Sequence, residues 1–557
     1  MVSNADQLLK NFLRALLIVS ASLSFSLKAA APPDAGQVLQ EIPEEFKLPS
    51  ETAPIDIEDK DQIDPIKSGG LKTTITSIVF KGNIAFTNED LMKELGDEVL
   101  SKEYDLKDLQ TFAVNVTLFY RNNFYPFARA YLPQQKIDNG ELTIEIIEGK
   151  YGEVRTIGYE QFLDRALEFL SKLKPGEIIE GKELERTTLI LDDQPAIKSE
   201  PIIRPGQLFG EGDLVVKVSR ESDFYGNIGA DNHGSRFTGE RRARLNLSYD
   251  SPFMFGDQIN LRTFYTEEDT WFGNIDYSLP VGSSGLRANI SHIHTDYEIG
   301  ESFAALDAYG MARITQLGFS YPVVRSQVAN VNLLVNYQYK LLNDVTNSTS
   351  TNTNKFSNVM PVALAFDIRD NLHGSAITYG TLTYTRGEVN LDASLLATDS
   401  TTTKSDGYFS KLNIDVARMQ YVAPNINAFI KLSYQRANKN LDSSESFGLG
   451  GSDGIRAFPT GEGYGDEGYL TKMELRYNIK QFTPYAFYDL GHVKTNALPY
   501  DNSDNYRTIS GGGIGTKFNL KGFSFDTSLA WPISGGRPIS DTKSNRPNWW
   551  LTMNYSF

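Results

Sequence analysis

The chain has no cysteine among its 557 residues, so no disulfide is available to brace it. That absence suits a polypeptide that crosses an oxidising compartment unfolded before it assembles. Long apolar runs are also missing. A membrane helix needs about 18 or more consecutive apolar residues, and only the N-terminus comes near. Basic excess is absent too: the net charge is −16, which argues against nucleic acid, whose phosphates reward basic surfaces. Most of that acidity is read as a solubility aid. No G-x-x-x-x-G-K-[ST] phosphate cradle occurs, so no nucleotide site supplies energy. What the chain does have is 28 Tyr, 32 Phe and 45 Gly at a mean hydropathy of −0.33. Aromatics and glycine in a chain of low hydropathy fit a transmembrane β-barrel, in which alternate residues face water.

Residues 1–31 read as a secretory signal. Lys10 and Arg14 precede a short apolar stretch from Ala15 to Phe25, and Ala29-Ala30-Ala31 supplies small residues. From 32 to 70 the composition turns to Pro, Glu, Asp and Lys. Ala35 to Ile42 has the pattern of a short amphipathic helix, and the remainder to Gly70 reads as an acidic linker.

Two mixed α/β units follow, at 71–149 and 150–222. In the first, Thr74–Phe80 is a strand and Thr87-Asn88-Glu89-Asp90 starts a helix. Leu106, Leu109, Ala113, Val116 and Tyr120 recur at helical spacing, and Asn139-Gly140 marks a hairpin turn. The second runs strand, two helices, and strands ending near Val218.

Between 223 and 557 the texture changes to period-two alternation. Ala243, Leu245, Leu247 and Tyr249 oppose Arg242, Arg244, Asn246 and Ser248. Short connections, as at 251–257, alternate with long polar ones, as at 343–358. Trp549 to Phe557 alternates and ends in an aromatic. At about 20 residues per strand and connection, the stretch holds about sixteen strands.

One glycine-rich stretch stands out. Gly450-Gly451-Ser452-Asp453-Gly454-Ile455-Arg456-Ala457-Phe458-Pro459 continues through Gly461, Gly463 and Gly465, and is followed by alternating strands at 469–480 and around Phe487-Tyr488-Asp489-Leu490-Gly491. Phe487, Asp489 and Gly491 share one strand face, so a carboxylate stands beside a glycine that leaves room. Arg456 is the natural partner for Asp489, reaching into the lumen from loop 446–468.

This arrangement resembles the two-partner-secretion transporters of the bacterial outer membrane, in the Omp85 superfamily. Their inward-folded loop carries Val-Arg-Gly-Phe/Tyr, here Ile455-Arg456-Ala457-Phe458 after Gly454, and a later strand carries Phe-x-Asp-x-Gly, here Phe487, Asp489 and Gly491. Ala457 replaces the family glycine, and alanine avoids positive φ, so the loop tip can differ. The stretches Phe124–Gln135 and Ile147-Glu148-Gly149 look like a POTRA domain, and Gly229–Gly239 looks like the first barrel strand. The resemblance implies a β-rich membrane protein, with an antiparallel transmembrane β-barrel of about 16 strands preceded by two α/β POTRA domains. It implies a periplasmic location for those domains and a short N-terminal helix plugging the pore.

The implied function is an outer-membrane translocation pore that captures an unfolded exoprotein, of adhesin or haemolysin type, and secretes it to the cell surface. The alternatives are an outer-membrane assembly insertase of the same superfamily and a passive diffusion pore, which leaves the periplasmic units unexplained. Exposed sheet edges let an extended client add itself as a strand. Phe124, Tyr125 and Tyr131 either line such a groove or are core packing. The remaining partners implied are outer-membrane lipids and, during biogenesis, the barrel-assembly machinery.

No catalytic residue, cofactor or metal is expected. Gly450-Gly451-Ser452-Asp453-Gly454 matches G-x-S-x-G, but a nucleophile elbow needs a helix after it, and a Gly/Pro-rich stretch follows instead. His292 and His294 share a strand face without a third ligand spaced to join them, and read as a solvated or lumenal pair.

Overall fold

A computed structural model describes residues 32–42, 56–57, 72–541 and 543–557. The signal expected at 1–31 and most of the expected linker lie outside the described residues.

The first α/β unit is built by local capping and one apolar helix face. Thr87 caps the helix Asn88–Leu95 in a reciprocal box with Asp90, and Asp105 and Asp108 do the same for Leu106–Asn122. The longer helix buries Leu109, Phe112, Ala113, Val116 and Tyr120 against a sheet ordered Ser77–Lys81, Glu141–Ile147, Arg129–Tyr131. Asn139 and Gly140 both take positive φ, at 56° and 78°, and turn the chain into Glu141–Ile147.

Glu148 ties this unit together. Its Oε1 accepts from Ile84 N (2.6 Å), Ala85 N (2.8 Å) and the Tyr120 hydroxyl (2.8 Å). Burial, with that carboxylate alongside, pushes the Tyr120 phenol well above its ordinary value, so it stays a donor. Glu148→Ala strands three donors at a buried site, an expected loss of about 2–3 kcal/mol. Limited proteolysis of the full chain checks this, the first cuts appearing between 72 and 149.

The second unit sets its sheet, with strands Lys150–Gly158, Ile197–Pro205 and Glu211–Arg220, against the helices Leu163–Phe169 and Gly181–Asp192. Asp56–Ile57 joins the outer edge of this sheet, parallel to Ile202 and Ile203. The unit is bolted to the barrel. Phe255, from the turn after the second barrel strand, packs between Phe162 and Phe169, at ring distances of 5.3 and 5.6 Å. Arg325 makes a two-pronged bond to Asp193, both at 2.7 Å, and Arg186 donates to the Pro322 carbonyl at 2.7 Å.

Among the described residues, sixteen antiparallel strands close into one barrel, from Phe224–Asp231 to Asn548–Ser556. Alternation sets its two faces. On the second strand, Arg242–Asp250, the arginines at 242 and 244 turn inward onto Asp231, at 2.8 and 2.7 Å. Tyr249, on the opposite face, is 41% exposed. The seam is zipped by register pairs from Asn227↔Ser556 to Asp231↔Thr552. Asn232 extends it by donating to the Trp549 carbonyl and accepting from Leu551 N.

The polar stretch 343–358, expected as a long loop, is mostly strand. Ala329–Thr346 and Thr351–Asp370 stay paired up to Thr346↔Thr351, which leaves only 347–350 as the turn. A strand running past the apolar belt meets water on both faces. It keeps its backbone pairing while losing the alternation that identifies it.

Candidate functional site

The connection between Ile426–Ala437 and Glu467–Tyr477 folds back into the lumen. Ile455, Ala457 and Phe458 are fully or almost fully buried, and with Leu449 they pack on Leu470, Tyr485, Phe487, Val493 and Ile509 of the wall. Glycines make the close approach feasible. A Cβ on Gly491 would lie 2.8 Å from Leu449 Cδ2 and 2.9 Å from Ile455 Cδ1, so this wall position is kept empty for the loop. On the strand Tyr506–Leu520, Gly511 lies under the Ala457 methyl, Gly513 under the Phe487 ring and Gly515 under the Tyr485 ring.

Arg456 links the loop to the barrel wall. Its Nε and Nη2 donate to the two oxygens of Asp489, at 2.9 and 2.7 Å, and its backbone N–H adds a third bond to Oδ2 at 3.1 Å. Its Nη1 donates to Glu474 Oε1 at 2.6 Å. The guanidinium also lies over the Phe487 ring, 3.6 Å from the centroid. Arg456 is 5% exposed and Asp489 is fully buried. A planar fork meeting a carboxylate on two prongs and an aromatic on its face is a geometry lysine cannot copy. The Trp550 indole N–H donates to the Arg456 carbonyl at 2.7 Å, which ties the last strand to the loop.

Three features were not read from the sequence. The carboxylate at 489 is not alone, because Glu474 shares the arginine; its alternation with Lys472 and Arg476 on one strand face was the available signal. A second clamp joins Glu462 of the loop to Arg507 of the wall, at 2.9 Å from Nε. That carboxylate also accepts from Ile539 N (3.0 Å) and Ser540 N (2.9 Å). The third is the period-two glycine row at 511, 513 and 515, which marks where the wall was kept thin.

The helix Ala35–Gln40 sits inside the barrel on the foot of the same loop. Asp34 caps it by accepting from Gln37 N at 2.9 Å and pairs with Lys355 of the wall at 3.1 Å. Lys355 also binds Asp442 at 2.8 Å. Glu445 is gripped by Lys340 at 2.5 Å and Lys411 at 2.9 Å. A Cβ on Gly36 would overlap Ser443 Oγ and Ser444 N, so the helix lies directly on the loop's foot. Ala35 and Val38 are buried with Phe237, Tyr297, Ala312 and Leu342.

Gly491→Val overpacks the seat of the loop, at an expected cost of about 1–3 kcal/mol. The barrel should still form, and protease added from outside should cut within 446–468 faster than in the parent.

A profile of the haemolysin secretion/activation proteins ShlB/FhaC/HecB matches residues 210–518, which span the barrel to its fourteenth strand. The chain belongs to this family. A ShlB-type POTRA domain matches residues 73–149, the first α/β unit. The heme/hemopexin transporter protein HuxB of Haemophilus influenzae is 25% identical, covering 96% of this chain and 97% of that protein. The outer membrane transporter CdiB of Dickeya dadantii is 23% identical over 81% of this chain and 82% of its own. Among solved structures, CdiB from Escherichia coli shares the fold, with a TM-score of 0.73 and 17% identity over 89% of this chain and 93% of that one. CdiB from Acinetobacter baumannii matches at a TM-score of 0.64 and 17% identity over 99% of this chain and 98% of that one. The chain is an outer-membrane transporter of the two-partner-secretion type, with its POTRA units on the periplasmic side. Family members are transporters rather than enzymes.

The client-contact candidates part company. Phe124 is 48% exposed, under the Lys182 ammonium at 4.0 Å, where the two units meet. Tyr125 packs edge-on against Phe86 (5.4 Å) and Tyr120 (5.9 Å) beside the first unit's core. Tyr131 lies on the edge strand Arg129–Tyr131 and donates to Glu145 at 2.5 Å. His292 and His294 do not line the lumen. They face outward, His292 beside Thr315 (3.0 Å) and His294 between Asp296 (2.8 Å) and Arg313 (3.1 Å). In the G-x-S-x-G match, the Ser452 carbonyl accepts from Lys472 at 2.9 Å, and no helix follows.

Proposed function

We propose that the periplasmic units capture an unfolded exoprotein and that the barrel passes it outward, with loop 446–468 held by Arg456 and Asp489 as the fixed wall of the route. The helix at 35–40 closes the lumen at rest and leaves when a client engages. The observation that carries this reading is the double occupancy of the lumen: a loop seated by buried ion pairs, and a short helix resting on the loop's foot. The loop has an aromatic core of its own against the wall. The helix has six residues, one capping aspartate and a small apolar cluster.

Capture uses exposed sheet edges. One edge of the second unit's sheet is already met by Asp56–Ile57; in the first unit Arg129–Tyr131 is an edge strand, with Phe124 exposed nearby. An extended client gains backbone hydrogen bonds there without needing a particular sequence. Relatives named for heme/hemopexin and hemolysin transport support a dedicated secreted client. With no nucleotide site in the chain, folding of the client outside prevents its return.

An insertase of the same superfamily would need a seam that opens, and the paired first and last strands with the Asn232 clasp weigh against that. Depletion in the native host separates the two. Loss of one exoprotein from the surface supports secretion, and a general fall in outer-membrane proteins overturns it.

A further inference from the structure

A concavity of about 780 Å³ opens on the outer wall of the barrel, toward the end away from the POTRA units. Its floor is aromatic. His492 is stacked between Tyr469 and Tyr506, at ring distances of 5.8 and 5.5 Å, and is steadied by Thr508 Oγ1 at 2.7 Å. Tyr434 continues the wall.

Arg436 lines the concavity and Arg386 stands two strands away on the same outward face, neither with an acidic partner closer than 4.0 Å among the described residues. Arg436 is 73% exposed, with Glu467 only within 4.0 Å. Glu467 lies closer to Lys494, at 3.3 Å. Arg386 stands opposite Ser410 of the lining in the strand register, is exposed, and has no ion pair among the described residues. Toward the membrane middle the same face becomes apolar, with Leu382 and Leu432 each about two-fifths exposed (41% and 42%).

Guanidinium groups without a close carboxylate are unusual on a chain of net charge −16, and these sit just above an apolar belt rather than in open solvent. Guanidinium forks fit phosphate. Stacked ring faces suit the apolar face of a sugar, and the leucines below suit acyl chains. By topology this end of the wall lies in the outward leaflet. We propose that the concavity binds the phosphorylated glycolipid of that leaflet, the lipid A part of lipopolysaccharide. Arg386 and Arg436 contact phosphate, and the Tyr469–His492–Tyr506 stack contacts the sugar.

The test uses the full chain purified in neutral detergent, exchanged to remove carried lipid and titrated with lipid A under native mass spectrometry. Parallel titrations use dephosphorylated lipid A, phosphatidylglycerol and inorganic phosphate. One tightly held lipid A is expected, with binding weakened about tenfold or more by Arg386→Gln plus Arg436→Gln and unchanged by Arg313→Gln on another part of the outer wall. Heat-modifiable gel mobility confirms that each barrel is folded. The proposal is overturned if dephosphorylated lipid A or phosphatidylglycerol binds as well as lipid A. It is equally overturned if the double variant keeps full affinity, or if inorganic phosphate alone accounts for the binding.

Discussion

Arg456→Ala is expected to leave a folded barrel that secretes its client at least about tenfold less well. The substitution strips Asp489 of two side-chain hydrogen bonds and Glu474 of one, leaving Asp489 buried without its cation while Glu474 keeps Arg476 at 2.7 Å. Removing one partner of a buried ion pair costs about 3–5 kcal/mol. That exceeds anything a single apolar contact in the loop returns. The barrel itself does not depend on the pair, because its sixteen strands are joined by continuous backbone pairing. The damage therefore falls on the seating of 446–468 and not on insertion. Arg456→Lys should recover little, since an ammonium cannot span both Asp489 oxygens and Glu474 while stacking on Phe487. Gel mobility of heated and unheated samples reads folding, and surface-exposed client reads secretion. Full secretion by a folded Arg456→Ala barrel contradicts the assignment.

The next largest effect is expected at Lys355. Its ammonium is 7% exposed and bridges Asp34 of the helix to Asp442 of the loop's foot. Lys355→Ala leaves Asp442 buried beside no cation, and it loosens the helix at the same time. Asp34 is 36% exposed, so its own share is screened by water and amounts to about 1 kcal/mol; the buried Asp442 contributes about 3 kcal/mol more. Only the Asp34 share distinguishes a docked helix from a released one, because Asp442 loses its cation in both states, and about 1 kcal/mol shifts the balance toward release by about fivefold. Conductance across a planar bilayer should therefore show more frequent and longer openings. Asp34→Asn should show the same change at smaller amplitude, and deletion of 33–42 should match or exceed Lys355→Ala. A quiet channel in all three variants would mean that the loop alone seals the lumen.

Much of this architecture was legible from residue order, because outer-membrane strands follow two simple constraints. Lipid on one face and water on the other impose period two, as in Ala243–Tyr249, and the chain length then limits the strand count. Arg456 and Asp489 were also legible, since an isolated arginine among glycines and an acid on a strand face each lack a local partner. The reading failed where partners come from elements distant in sequence. Glu474 looked like ordinary wet-face alternation, although it shares the guanidinium. Glu462 lay in a glycine-rich run, with nothing local to suggest that Arg507 would meet it 45 residues later. The stretch 343–358 misled because a strand in water on both sides has the composition of a loop. Tyr125 and Phe124 are neighbours in the chain, yet a positive φ of 70° at Phe124 sends one toward solvent and the other toward the core.

A double-mutant cycle over Arg456 and Asp489, scored by the rate at which client reaches the cell surface, tests the central claim most directly. If the arginine works through that acid, Arg456→Ala combined with Asp489→Ala secretes about as well as the worse of the two single variants, so that the losses do not add. Losses that simply multiply would show that the two residues act independently, and the clamp would not be what seats the loop.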